Sequence, residues 1–223
     1  MSQRIPHIKN VIAVGSGKGG VGKSTVATNL ALALHQQGLK VGLLDADIYG
    51  PSVPMMLGVC GEEPQANQEG GILPIEAHGI KTMSIGFIAK ETQAIIWRGP
   101  MIHKMLDEFI SRVAWGELDY LIVDLPPGTG DAQLSLSQLI PLTGAVVVTT
   151  PQEVALADVR RAVQMFKKVE IPLLGVIENM SYYSCPTCHE RADIFSSGGG
   201  EKAARLWETK FLGGIPLVQD VTL

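Results

Sequence analysis

Hydrophobic residues fall along the chain in two alternating rhythms. Short apolar runs predict strands at Lys9–Val14, Lys40–Leu44, Ile80–Ile85, Tyr120–Asp124, Ala145–Thr150, Leu173–Glu178 and Phe211–Ile215. Several consist of Val, Ile and Leu without polar alternation, as in parallel strands buried on both faces. Between them, apolar positions near a 3.6-residue period predict helices at Lys23–Gln37, Pro100–Val113, Asp131–Leu139, Glu153–Val169 and Gly199–Glu208. In the fourth of these, Val154, Ala157, Val159, Ala162, Val163 and Phe166 share the apolar face, and Arg160, Arg161, Lys167 and Lys168 read as a solvated one. The alternation predicts an α/β fold: a mostly parallel central sheet with helices on both faces.

No repeat and no linker divides the chain, so residues 1–223 are expected to form one domain. Two stretches interrupt the rhythm. Gly58–Gly71 is polar and turn-rich and predicts a surface loop or hairpin. Asn179–Gly200 reads as an irregular loop, long enough to suggest function, and it carries a C-x-x-C. The ending Ile215–Leu223 has no C-cap or charged tail, from which a truncated or partly covered C-terminus is expected.

Composition narrows the classes. The 223 residues weigh 23.9 kDa, room for one α/β domain. With 46% hydrophobic and 18% charged residues and a mean hydropathy of +0.21, the chain is too apolar for disorder. A net charge of −4 and a pI near 5.7 give no bulk attraction to nucleic acid. Met1–Asn10 is polar and carries Pro6, unlike a secretory leader. Apolar runs such as Leu118–Val123 and Gly144–Val148 fall far short of the roughly 20 residues a membrane span needs. A cytoplasmic protein without membrane contact is expected. Three cysteines make no disulfide framework: Cys185 and Cys188 form the C-x-x-C, and Cys60 stands alone.

The strongest chemical signal is Gly17-Lys-Gly-Gly-Val-Gly22-Lys23-Ser24, a complete G-x-x-x-x-G-K-S phosphate loop between an apolar strand and a helical pattern. Its glycines let backbone N–H groups approach and encircle phosphate oxygens. Lys23 is positioned to neutralise β/γ-phosphate charge and the Ser24 hydroxyl to ligate Mg²⁺. The stretch Gly17, Lys18, Gly19, Gly20, Val21, Gly22, Lys23, Ser24 and Thr25 is thus the candidate ATP cradle. Aspartates end two predicted strand segments: Asp45-Ala-Asp47 after Lys40–Leu44, and Asp124 at the close of Tyr120–Asp124. Ligands of open α/β sheets sit at those carboxyl ends.

The extra lysine, Lys18, resembles that of the deviant Walker A loop of ParA/MinD-like ATPases, where it reaches the nucleotide of the facing subunit. That resemblance implies an ATP-sandwich homodimer. It also implies that Asp124 holds Mg²⁺ through water, that Gly128 senses the γ-phosphate, and that Asp47 positions the attacking water beside Lys18 and Lys23. Asn179 resembles the adenine-reading asparagine of that class, and Pro216 is a candidate to flank the base.

Cys185-Pro-Thr-Cys188-His189 admits several chemistries. C-x-x-C-H matches c-type haem attachment, but the polar Met1–Asn10 is not expected to deliver the chain to that machinery. A thioredoxin-like pair lacks its surrounding unit. Two thiolates are half of a tetrahedral Zn²⁺ or Fe–S ligand set. Together with Trp97-Arg-Gly-Pro, Asp124-Leu-Pro-Pro-Gly-Thr-Gly-Asp and Glu178-Asn-Met-Ser, the pair resembles the Mrp/ApbC-type iron–sulfur cluster carrier ATPases over nearly the whole chain. The extra N-terminal domain of many members is absent from this sequence. The resemblance implies that Cys185 and Cys188 from two subunits share a [4Fe–4S] cluster, delivered to apo iron–sulfur proteins under slow ATP hydrolysis. Two rivals stay open: a ParA/MinD-like positioning ATPase without a cluster, and the same ATPase with a zinc bridge.

Overall fold

The computed structural model describes residues 5, 7–68, 70–88, 104, 107–128 and 131–218. The expected helix Pro100–Val113 lies partly outside these residues, though 107–111 are helical, and Trp97-Arg-Gly-Pro lies outside them altogether. The chain groups into two compact units, the first made of Met1–Val14, Ser24–Pro126 and Gly130–Thr143, the second of Gly15–Lys23, Pro127–Thr129 and Gly144–Leu223.

In the first unit the strands are β1 (Ile8–Ser16, which runs on into the second unit), β2 (Val41–Asp45), β3 (Ile75–Ala77), β4 (Ile80–Ser84) and β5 (Leu118–Asp124). They pair in the order β3-β4-β2-β5-β1, all parallel except the β3–β4 hairpin. Helix α1 (Lys23–Gln36) follows the glycine loop and stops where Gly38 adopts φ +84°. A short α2 (Val53–Met56) follows β2, and α3 (Asp131–Leu139) follows β5. The β2 and β5 runs are buried almost throughout, with Leu43, Leu44, Leu121, Ile122 and Val123 fully buried. That explains their unbroken apolar sequences. Within the expected loop or hairpin, Ala66 is bridged antiparallel to Ile72, and the Gly71 N–H donates to Asn67 Oδ1 at 2.7 Å.

In the second unit β6 (Gly144–Thr149), β7 (Leu173–Ser184) and β9 (Phe211–Leu217) run parallel around β7, and the two-residue β8 (Arg191–Ala192) pairs antiparallel with its end. Helix α4 (Glu153–Lys168) buries Val159, Ala162, Val163 and Phe166, while Ala157 and the four basic residues are exposed. Helix α5 (Gly199–Leu206) buries Ala203 and Ala204. The expected mostly parallel α/β architecture is therefore present in both units. One reading needs correction: Asn179–Gly200 is not an irregular loop. Residues 179–184 continue β7, 191–192 form β8, and α5 begins at Gly199. Asn179-Met-Ser181 lacks the apolar pattern of a strand, yet β7 pairs with β9 up to Asn179 and again at Tyr183, and with β8 at Tyr183 and Ser184.

Candidate functional site

The glycine loop leaves β1 at Ser16 and enters α1 at Lys23. Its backbone is shaped by close approach. A Cβ on Gly17 would run into the Asp158 backbone of α4, and one on Gly22, at φ +80°, into the Asn179 amide. Glycine at these two positions leaves the backbone room that a side chain would fill. Gly19 and Gly20 are exposed, so the middle of the loop presents main chain to solvent. Ser16 organises the entrance: its hydroxyl donates to the Lys18 carbonyl at 2.8 Å, and its carbonyl accepts from the Gly128 N–H at 3.0 Å. Gly128 sits at φ +90°, in the left-handed region that glycine adopts freely. Asn179 closes the other side, donating from Nδ2 to the Val21 carbonyl at 2.9 Å. The structure thus joins Gly128 and Asn179 to the loop, both through hydrogen bonds. The bare-backbone cradle fits a chain of phosphates.

The carboxylates belong to the first unit. Parallel register sets Asp45 of β2 opposite Asp124 of β5, and Val14 of β1 opposite Asp124 on its other side. Both aspartates are fully buried. Burial, and secondly the neighbouring Asp124 charge, push the Asp45 carboxyl up to about 7. Three donors act against that rise. Ser84 Oγ donates to Oδ2 at 2.9 Å, the Asp47 N–H to Oδ1 at 3.1 Å, and the Val53 N–H to Oδ2 at 3.2 Å. Asp45 therefore fixes the segment from β2 to α2, which carries Asp47. Asp47 is itself 7% exposed and accepts the Tyr49 N–H on Oδ1 at 3.2 Å. An Asp45–Ser84 pairing across 39 residues leaves no mark in local sequence pattern. Lys23 is buried and Ser24 is half-buried at the start of α1.

Cys185 and Cys188 occupy the turn joining β7 to β8. The turn is closed by Cys185 N–H to the Glu190 carbonyl at 3.1 Å and His189 N–H to the Cys185 carbonyl at 2.9 Å. The Arg191 guanidinium lies 4.0 Å over the Tyr182 ring and braces the pair of strands. Cys185 is half-buried and Cys188 exposed. The Cys188 and Thr187 N–H groups, pointing at the Cys185 sulfur, hold its thiol below the usual range. Thiolate is the form that ligates metal. Among the described residues no group of three or more His, Cys, Asp and Glu converges to hold an ion, so this turn offers two sulfurs. Pro216 lies in β9 just beyond Ile215, which stands opposite Asn179. Cys60, exposed in the first unit, lines a cavity of about 490 Å³ with Tyr49, Pro51, Met55 and Phe87.

Local pattern does not single out Glu178 and Ser181. Glu178 is 1% exposed, and its carboxylate accepts from the Ser181 hydroxyl at 2.6 Å and from the Gly200 N–H, inside the first turn of α5, at 2.5 Å.

Comparison with known proteins follows the same outline. The family model "ParA: NUBPL iron-transfer P-loop NTPase" matches residues 7–223. The chain is 56% identical over 220 residues to the iron-sulfur cluster carrier protein of Aquifex aeolicus, covering 98% of itself and 60% of that protein. It therefore spans less than two thirds of that relative's length. Among solved structures, the nucleotide-binding protein of Archaeoglobus fulgidus, in complex with ADP and with cobalt found in it, superposes with a TM-score of 0.87. The two are 44% identical, and the match covers 98% of this chain and 86% of that one. The cell division ATPase MinD of Pyrococcus furiosus, 22% identical over 93% of this chain and 83% of its own, shares the fold at a TM-score of 0.68. On the strength of the family match from residue 7 to residue 223, the chain belongs to the NUBPL iron-transfer branch of the ParA P-loop NTPases.

Proposed function

We propose that the protein is a slow ATPase that carries a [4Fe–4S] cluster between two copies of itself and hands it to apo iron–sulfur proteins in the cytoplasm. One observation carries the reading. The glycine loop and the two-thiol turn belong to the same compact unit and are linked along β7, with Asn179 on the loop and Cys185 just past the strand's end. The carrier names of its relatives support it.

The nucleotide chemistry belongs to the chain's own groups. Main-chain N–H groups of Gly17–Thr25 bind the phosphates, and Lys23 and Lys18 offset charge that builds on the transferring phosphoryl group. Asp47 orients the attacking water, its carboxylate held in place by the loop that Asp45 anchors. Ser24, directly, and Asp124, through water, would hold Mg²⁺, which supplies charge neutralisation at the β- and γ-phosphates. Gly128 senses the γ-phosphate, while Asn179 and Pro216 attend the base. The cluster is cargo: two thiolates per chain require a second copy to complete four ligands.

The test is anaerobic reconstitution with iron and sulfide, read by visible spectrum and metal analysis. A broad absorption band of an Fe–S centre, lost in Cys185→Ser, is the expected result. Stoichiometric zinc without that band indicates a zinc bridge, and absence of any metal indicates a positioning ATPase; either overturns the proposal.

A further inference from the structure

β7 has an irregularity between its two functional ends. Before it, Glu178 pairs with Gly214 and Asn179 with Ile215; after it, Tyr183 pairs with Leu217. Four steps along β7 therefore match two along β9, so β7 carries slack. Within the slack, Met180 sits at φ +54°, in the left-handed region that a non-glycine residue adopts at a cost. The bulge is held by a compact set of contacts. Ser181 Oγ donates to Glu178 Oε1 at 2.6 Å, and Glu178 Oε2 takes the Gly200 N–H of α5. Ser181 in turn lies against Gly214: a Cβ there would come within 2.6 Å of its Oγ.

The neighbours on each side give the bulge its meaning. Asn179, directly before Met180, grips the Val21 carbonyl of the glycine loop at 2.9 Å. Beyond Ser181, β7 continues through Tyr182, over which Arg191 lies, and regains its pairing at Tyr183 two residues before Cys185. A displacement of the loop is thus passed to Asn179 and must be taken up by the slack or transmitted along the strand. Fastened by Glu178 and Ser181, the slack transmits it.

We infer that Glu178 and Ser181 are positioning residues that fasten the β7 bulge, so that nucleotide in the glycine loop alters the setting of the Cys185–Cys188 turn. The inference rests on the carrier reading for its purpose, yet it concerns the empty thiols and stands on its own evidence. By reciprocity, whatever the two sulfurs bind shifts nucleotide affinity by the same factor. Glu178 serves both partners as an acceptor, so a glutamine there keeps its oxygen for Gly200 and its amide for Ser181. An alanine at Ser181 releases the bulge while the Gly200 N–H still engages the Glu178 side chain.

The experiment uses the full chain without cluster, with Cys60→Ser so that only Cys185 and Cys188 react. Alkylation rates by iodoacetamide are compared with and without Mg²⁺ and a non-hydrolysable ATP analogue, beside the analogue's Kd. In the parent protein the nucleotide changes the rate by about fivefold or more. In Ser181→Ala, and independently in Gly214→Ala, which pushes Ser181 aside, the ratio falls below about twofold while Kd stays within about threefold. Glu178→Gln keeps the parent ratio. An unchanged ratio in both variants, a parent protein indifferent to nucleotide, or a Kd that weakens in step with the lost ratio overturns the inference. A parent that responds but never takes up iron and sulfide contradicts the carrier reading alone. A protein that loads a cluster while its empty thiols ignore nucleotide contradicts the inference alone.

Discussion

Two segments leave the carboxyl ends of parallel strands in this protein, and they are built in opposite ways. The segment after β2 is sealed: Asp45 is fully buried, holds three donors, and anchors Asp47 and the start of α2. The turn after β7 is open: Cys188 is exposed and Cys185 half-buried, and the turn is closed by main-chain hydrogen bonds with no buried carboxylate among the described residues anchoring it. Phosphate chemistry gains from groups fixed before the reaction, since pre-organised charge needs no rearrangement when the barrier is crossed. Cargo that must enter and leave gains from accessible ligands. Position at a strand end is shared; burial separates the two jobs proposed for them.

Mutation separates the sealed segment from the open one. The largest effect is expected from Lys23→Ala, which removes the buried cation of the glycine loop. ATP turnover, followed by phosphate release, should fall by about 100-fold or more. Asp45→Ala strands three donors and should cost about 1–3 kcal/mol in urea unfolding, with turnover falling as Asp47 loses its anchor. Gly22→Ala forces a side chain into positive φ and against Asn179. Chemical denaturation should show a loss of about 1–2 kcal/mol, together with weaker nucleotide binding. The smallest change belongs to the open turn: without cluster, Cys188→Ser should leave stability within about 0.5 kcal/mol of the parent. A Cys188→Ser loss as large as that of Asp45→Ala would erase the distinction between sealed and open segments.

Much of this architecture is legible in the chain itself. β1, β2, β5 and β6 are apolar runs because both their faces are covered, and α4 shows its period because one face is packed and the other solvated. The glycine loop is legible because close backbone approach admits few other residues. Other elements hide for physical reasons. β3 and β8 are short edge pieces defined by their partners, with too few residues to display alternation. The far half of β7 hides because Asn179, Met180 and Ser181 serve the loop, the bulge and Glu178 instead of a pleated apolar face. Asp45, by contrast, is visible as a strand-end carboxylate, but its bond to Ser84 arises only when β2 pairs with β4.

In the proposed carrier, two chains share one cluster through their Cys185–Cys188 turns. The most direct measurement is iron and sulfide per chain combined with the mass of the loaded species by light scattering. About four iron and four sulfide per two chains are expected, in a dimer that loses its iron in Cys185→Ser. A full complement of iron on a single chain, or a loaded dimer unaffected by Cys185→Ser and Cys188→Ser together, would contradict it.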